Sequence, residues 1–265
     1  MKKITVITGA SSGLGAEFAR QIYESLEETD TPQEIWLIAR SKENLESTGA
    51  ELTGKNISVR IIPLDISGAE GVHRLKSLLE EEKKSGDFSI DMLVNNAGFG
   101  TYGPFAETDI DREMQMIELN CTSLTGVCGI TLPYLTKGSS IINTASLAAF
   151  LPLGNFAVYA ATKAYALSFS IALAAELKDR GIQVCALCPG SVSTNFANVA
   201  SNGKRKEVLH GKDPVKVVRH CLKANRRGKK TALWALKWRF TAFMSRFVGR
   251  YTGARYTYLY AKRPH

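Results

Sequence analysis

Three side chains near the middle of the chain stand at spacings that can move a proton. Tyr159 and Lys163 lie four residues apart in Tyr159-Ala-Ala-Thr-Lys163, and Ser146 stands thirteen positions before the tyrosine. On a helix, residues i and i+4 share a face, so the ammonium would sit one turn beyond the phenol. A tyrosine gives up its proton near pH ~10, and an adjacent ammonium lowers that value by favouring the phenolate. The pair therefore has the makings of a general acid/base at neutral pH. Ser146, which follows the run Ser140-Ile-Ile-Asn-Thr-Ala145, is placed to hydrogen-bond a substrate oxygen. Helices also carry Tyr and Lys at this spacing for no chemical reason, so the surrounding elements decide.

A second constellation opens the chain. Ile4-Thr5-Val6-Ile7 suits a buried parallel strand and runs into Thr8-Gly9-Ala10-Ser11-Ser12-Gly13-Leu14-Gly15. Leu14, Phe18, Ile22 and Leu26 then recur at the spacing of a buried helix face. A strand, a glycine turn and a helix start make an anion site: backbone N–H groups and the positive helix end face a phosphate, and missing side chains let it approach. Three glycines also permit a plain tight bend, but the flanking strand and helix favour a nucleotide.

The alternation continues. Strand-like runs occupy residues 34–40, 57–64, 90–94, 140–145 and 182–187, and 230–235 suits a last strand. Between them lie helical stretches near 41–52, 69–84, 110–134 and 157–178. Val72, Leu75, Leu78 and Leu79 mark the inward face of one, and Met114, Ile117, Cys121, Leu124 and Cys128 that of another. Repeated strand–helix units predict an α/β fold, a parallel sheet covered on both faces. With no linker, low-complexity tract or internal repeat, residues 1–265 read as one domain.

Composition fits a globular protein with a sizeable core: 45% hydrophobic and 22% charged residues. No apolar run is expected to approach the ~20 residues that span a bilayer. The apolar stretch after Met1-Lys2-Lys3 is too short for a signal peptide. With five cysteines, this points to reduced thiols in the cytoplasm. Charge is uneven. Residues 201–265 carry 18 Lys and Arg against 2 acids, while residues 1–200 carry 16 against 23. Such asymmetry marks an anionic partner, a subunit contact or merely a solvated face.

Taken together, Thr8 to Gly15, Asn95-Asn96-Ala97-Gly98, Asn120, Ser146, Tyr159-x-x-x-Lys163 and Pro189-Gly190 resemble the motifs of the short-chain dehydrogenase/reductase family, in its order and over nearly the whole chain. The resemblance implies a doubly wound Rossmann-type domain, a seven-stranded parallel sheet binding NAD or NADP at the strands' C-terminal edge. It implies that Tyr159 exchanges a proton with the substrate oxygen and that Lys163 lowers the tyrosine pKa and contacts the nicotinamide ribose. Ser146 would hold the substrate oxygen. Asn120 would position a water between Lys163 and solvent; alone, an asparagine on an inward helix face reads as a satisfied core residue, but beside Ser146, Tyr159 and Lys163 the functional role is expected. The cofactor would meet Gly9, Ser11, Ser12, Gly13, Leu14 and Gly15, with Asp65 and Ile66 flanking the adenine. Asn96, Ala97 and Gly98 would line it, and Pro189, Gly190, Val192 and Thr194 would approach the nicotinamide. Homodimers or homotetramers are the family expectation.

Cofactor preference can be argued from Leu37-Ile38-Ala39-Arg40. An acid at this strand end would bind the ribose 2′-hydroxyl of NAD, whereas an arginine offers a fork of donors to the 2′-phosphate of NADP. NADP(H) is therefore expected over NAD(H), and a reductase over a dehydrogenase. Phe99, Tyr102, Phe105, Leu147 to Leu153, Phe156 and Phe196 would line an apolar pocket suited to a lipophilic ketone, sterol-like or acyl-chain. Lys204, Arg205 and Lys206 fall in the expected substrate loop, about residues 191–212, where they would draw an anionic substrate tail.

Beyond the core motifs, about residues 236–265 form a basic, aromatic extension. Leu236, Phe240, Phe243, Phe247 and Tyr251 fall on one helical stripe beside Lys237, Arg239, Arg246 and Arg250. Such a helix would cover the pocket, meet a second subunit or lie on an anionic membrane. No nucleic-acid motif accompanies the basic patch. Cys185 and Cys188, at i and i+3 of a strand, point to opposite faces and make no redox pair or metal clip. Cys121 reads as core. His73, His210, His220 and His265 show no metal-ligand spacing. The alternative to an enzyme is a cofactor-sensing or membrane-docking protein on the same fold, which would have no need of the Tyr–Lys pair.

Overall fold

Short β-branched runs alternate with amphipathic helices, and every run joins one sheet. In this computed structural model, which describes all residues except 28, 206, 207, 209 and 262–265, the elements run in the expected order. They are β1 (Lys2–Thr8), α1 (Gly13–Ser25), β2 (Gln33–Ala39), α2 (Lys42–Ala50), β3 (Ser58–Pro63), α3 (Gly68–Ser85) and β4 (Phe88–Asn95). Then come α4 (Ile110–Ile117), α5 (Leu124–Thr131), β5 (Leu135–Thr144), α6 (Ala157–Glu176) and β6 (Gln183–Leu187). The chain closes with α7 (Phe196–Ala200), α8 (Pro214–Arg226), β7 (Thr231–Ala232), α9 (Leu236–Met244) and α10 (Arg250–Tyr260). The expectations placed on Lys206 and His265 lie outside the described residues.

All strand pairs are parallel, in the order β3-β2-β1-β4-β5-β6-β7. Alternate side chains feed two cores. Ile7, Ile35, Leu37 and Val94 meet α1, α2 and α8 on one face through Phe18, Leu45 and Val217. Ile4, Val6, Trp36, Ile38 and Leu93 meet α3, α5 and α6 on the other through Leu75, Val127 and Leu173. Strand order reverses between β1 and β4, which opens a crevice at the strands' C-terminal ends. Cys185 packs in the first core, and Cys188, one residue past the end of β6, in a separate cluster with Ala145 and Leu167.

Three expectations need correction. The continuous helix over 110–134 is instead α4, a π-helical turn at Glu118–Ser123, α5 and a 3-10 turn at Leu132–Tyr134. A π turn holds an extra residue, so a stripe drawn at constant period across it falls out of register on one side. Before the turn Glu113 and Met116 are buried, while Met114 is 57% and Ile117 44% exposed. The apolar length of α6 also exceeds expectation: its 20 residues are long and apolar enough for a membrane span, yet half of them are buried in the fold. Finally, the C-terminal stripe is broken across α9, the turn at residues 245–249 and α10, with its five apolar members all exposed.

Leu93 is wholly buried in the middle of the sheet. Leu93→Ala is expected to lower unfolding free energy by about 2–5 kcal/mol in urea denaturation; a smaller loss would mean the site collapses around the cavity.

Candidate active site

The turn after β1 is built by backbone proximity. Gly9 has φ +65°, and a Cβ there would lie 2.9 Å from Ala97 Cα. A Cβ on Gly15 would fall 2.0 Å from the Gly9 carbonyl oxygen. Only glycine fits either place. Ser12 stands before α1 in an extended conformation, its side chain capping nothing, and the first turn carries no acid. The N–H groups of Gly13, Leu14 and Gly15 at this helix start, with the Ser11 and Ser12 hydroxyls beside them, form a donor set suited to a diphosphate. Thr194 reaches over from the far side, its Cβ 3.4 Å from where a Gly13 Cβ would stand.

Asn95-Asn96-Ala97-Gly98 ties the strand ends together. Thr8 Oγ1 accepts from the N–H groups of Asn96 and Ala97, each at 3.0 Å. Asn96 Nδ2 donates to the carbonyls of Thr8 and Gly9 at 3.3 Å, and Thr144 Oγ1 donates to Asn96 Oδ1 at 3.2 Å. Asn95 Nδ2 donates to the Leu124 carbonyl at 2.9 Å. The motif thereby braces β1, β4, β5 and α5, and the Asn96 side chain is engaged in that brace.

Tyr159 and Lys163 lie buried on one face of α6. The tyrosine ring stacks on Phe156 at 4.2 Å and meets Phe196 at 5.4 Å. Tyr102 and Met116 complete this apolar cluster, with Phe99 and Leu153 against it. Phe105, expected here, is 56% exposed and outside it. Lys163 Nζ donates to the Thr144 carbonyl at 2.8 Å and lies 5.7 Å from the Tyr159 ring centroid. Burial strips water from the ammonium and lowers its pKa to about 8, with the Cys121 and Cys188 thiols opposing that shift.

Asn120 sits in the π turn. Its Oδ1 accepts from Phe99 N–H at 3.1 Å, and its Nδ2 donates to the Phe99 carbonyl at 2.9 Å and to Thr162 Oγ1 at 3.1 Å. Thr162 Oγ1 in turn donates to the Tyr159 carbonyl at 2.9 Å. A Cβ on Gly98 would lie 2.7 Å from Asn120 Oδ1 and 3.3 Å from Lys163 Nζ, so the glycine backbone passes between the two. Ser146 Oγ accepts from Ala148 N–H at 3.1 Å and donates to the Pro189 carbonyl at 3.4 Å.

The remaining positions surround this centre less tightly. Arg40 is exposed at the end of β2. Asp65 Oδ1 accepts from Ser67 N–H at 2.9 Å, and Ile66 is buried. Val192 pairs with Lys212, which closes the base of the loop between them. Sequence reading missed Trp238: a Cβ on Gly190 would lie 2.3 Å from its Nε1, so this buried indole of α9 rests on the Pro189-Gly190 turn. No motif marked it; the only signal was a tryptophan set off the exposed stripe.

The α10 helix seats beside the pocket. Gly154 N–H donates to Thr257 Oγ1 at 2.8 Å, and Asn155 Nδ2 donates to the carbonyls of Thr257 and Tyr258 at 3.3 and 2.9 Å. A cavity of about 320 Å³ separates Ala149, Leu151 and Ala161 from Arg250 and Ala254.

This sheet, glycine turn and Tyr–Lys helix have close counterparts. The family model described as short chain dehydrogenase matches residues 3–205, and the chain belongs to the short-chain dehydrogenase/reductase family. An oxidoreductase of Staphylococcus epidermidis is 30% identical over 210 residues, which cover 78% of this chain and 85% of that protein. The short-chain dehydrogenase from Sphingobium yanoikuyae in complex with NADPH is similar at 26% identity and TM-score 0.78, over 92% of this chain and 93% of that one. A short-chain dehydrogenase/reductase from Burkholderia phymatum in complex with NAD, 20% identical with TM-score 0.77 over 100% and 96% of the two chains, shares the fold. The chain is thus an NAD(P)-dependent oxidoreductase acting on an alcohol or carbonyl.

The Lys163 shift has a sign that can be measured. Between pH 8 and 10.5 the unfolded chain holds this proton more tightly than the folded one, so the buried ammonium costs stability below that window and the cost fades as pH rises through it. In chemical denaturation, the stability difference between Lys163→Met and wild type is expected to shrink from about pH 8 to 10.5. A difference that stays constant would show the ammonium is not desolvated.

Proposed function

We propose that the chain is an NADPH-dependent reductase of a lipophilic ketone, sterol-like or acyl-chain, with Tyr159 as its general acid. The observation that carries this reading is the buried Tyr159–Lys163 pair inside an aromatic cluster, beside a glycine turn with free helix-start donors. Bound in the crevice, the reduced nicotinamide would supply the hydride. Ser11, Ser12 and the N–H groups of Gly13 to Gly15 would hold the diphosphate, Asp65 and Ile66 the adenine end, and Ala97, Gly98, Pro189, Gly190, Val192 and Thr194 the rest. Arg40, exposed and without an acid beside it on β2, supports NADP over NAD through a fork of donors for the 2′-phosphate.

Ser146 Oγ would hold the substrate oxygen and Tyr159 Oη would give it a proton. The Lys163 ammonium favours the phenolate left behind. Asn120, whose side chain fixes both the Phe99 backbone and Thr162, keeps that helix and the loop over it in place. Residues 191–212 act as the substrate loop, closed at its base by Val192 and Lys212. The exposed Ile110, Met114 and Ile117 of α4 and Tyr165 and Ile171 of α6 suit a homodimer or homotetramer. Five free cysteines suit the cytoplasm.

Tyr159→Phe is expected to lower NADPH-dependent turnover of lipophilic ketones by about 10²–10⁴-fold while NADPH binding, read by fluorescence, is retained. Undiminished turnover would remove the tyrosine from the mechanism. Arg40→Asp should move the kcat/KM preference toward NADH by about tenfold or more; an unchanged ratio would place the 2′-phosphate elsewhere.

A further inference from the structure

Among the described residues, nothing covers the surface formed by α9 and α10. Leu236 is 78% exposed, Phe240 65%, Phe243 54%, Phe247 70% and Tyr251 81%. Between residues 236 and 260 only Trp238, Ala242 and Gly253 are buried. Trp238 anchors the segment on Gly190, and Gly253 packs against Leu151. Single exposed apolar residues need no explanation, but a contiguous aromatic surface of this kind marks an interaction site.

Its charge is of one sign. Lys237, Arg239, Arg246, Arg250 and Arg255 are exposed, and the sequence has no acid after Asp213. None of the five forms an ion pair among the described residues. Tyr256, Tyr258 and Tyr260 add rings with polar tips, the side chains that settle where apolar and aqueous phases meet.

We propose that α9 and α10 dock the protein on an anionic lipid bilayer. A self-complementary contact with a second copy would set five cations against five cations. An anionic bilayer instead neutralises the cations with headgroups while its acyl boundary takes up the phenylalanines. The surface is also joined to the catalytic pocket. Asn155, held in a left-handed conformation at φ 61°, and Gly154 bond directly to α10, next to Leu153 and Phe156 of the pocket cluster. Docking thus sets the pocket-lining segment against the lipid phase. That last step rests on the ketone-reductase reading; the docking itself does not.

The test is co-sedimentation of the full chain with phosphatidylcholine vesicles, with and without phosphatidylglycerol. Pelleting is expected only when phosphatidylglycerol is present, and raised salt should reduce it. The Phe240→Ser/Phe243→Ser/Phe247→Ser variant and, separately, Arg246→Glu/Arg250→Glu should each lower the bound fraction about tenfold at unchanged melting temperature. These substitutions fall on exposed side chains, and melting temperature separates lost docking from lost folding. Failure of the wild type to pellet with anionic vesicles overturns the proposal. So does a smaller assembly, by light scattering, in the phenylalanine variant alone, which would assign the surface to a second copy. Vesicle binding is read without turnover, so a wrong substrate class would leave this result standing.

Discussion

An ammonium held out of water, on the last carbonyl of β5, is the constraint on which the rest of the site depends. Lys163 can be buried at 2.8 Å from the Thr144 carbonyl only if α6 packs closely against the sheet and the strand end stays where it is. The two cores supply the first condition by covering both faces of the sheet. The Asn96 brace supplies the second, because it bonds the ends of β1, β4 and β5 to one another. In the low-dielectric space that results, burial lowers the ammonium's pKa to about 8.

Close backbone approaches do for the glycine turn what burial does for Lys163. Gly15 folds against Gly9, Gly9 against Ala97, and Gly98 passes between Asn120 and Lys163. These contacts bring the glycine turn after β1, the β4 end and α6 to one edge of the sheet. The π turn belongs to the same arrangement. It gives Asn120 a position from which one amide reaches both the Phe99 backbone and Thr162, at the cost of an irregular helix.

The C-terminal segment follows a different logic. It lies beyond residues 3–205, the span of the family match, and is held by a few anchors: an indole on Gly190, a glycine on Leu151 and three hydrogen bonds to residues 154 and 155. Nearly everything else on α9 and α10 faces outward. A segment that packed to complete the core would bury its phenylalanines; this one buries Trp238 and displays them.

Much of this was legible in the sequence, for local reasons. Strands and helices announce themselves by period, a phosphate turn by glycine spacing, and the Tyr–Lys pair by one helical turn. Hence the parallel sheet and the pairing of Tyr159 with Lys163 could be read from residues alone, whereas Asn120 joined them only through the resemblance to a family. Three things could not. The π turn at Glu118–Ser123 changes register without changing residue type, so Met114 and Ile117 read as core. The stripe from Leu236 to Tyr251 fits a single helix until the turn at residues 245–249 breaks it, and whether its aromatics meet the fold or solvent depends on what lies opposite. Trp238 acquires its place from Gly190, nearly fifty residues earlier. Periodicity and spacing report what a residue does to its neighbours along the chain; which surfaces remain uncovered is settled only when distant segments compete for the same space.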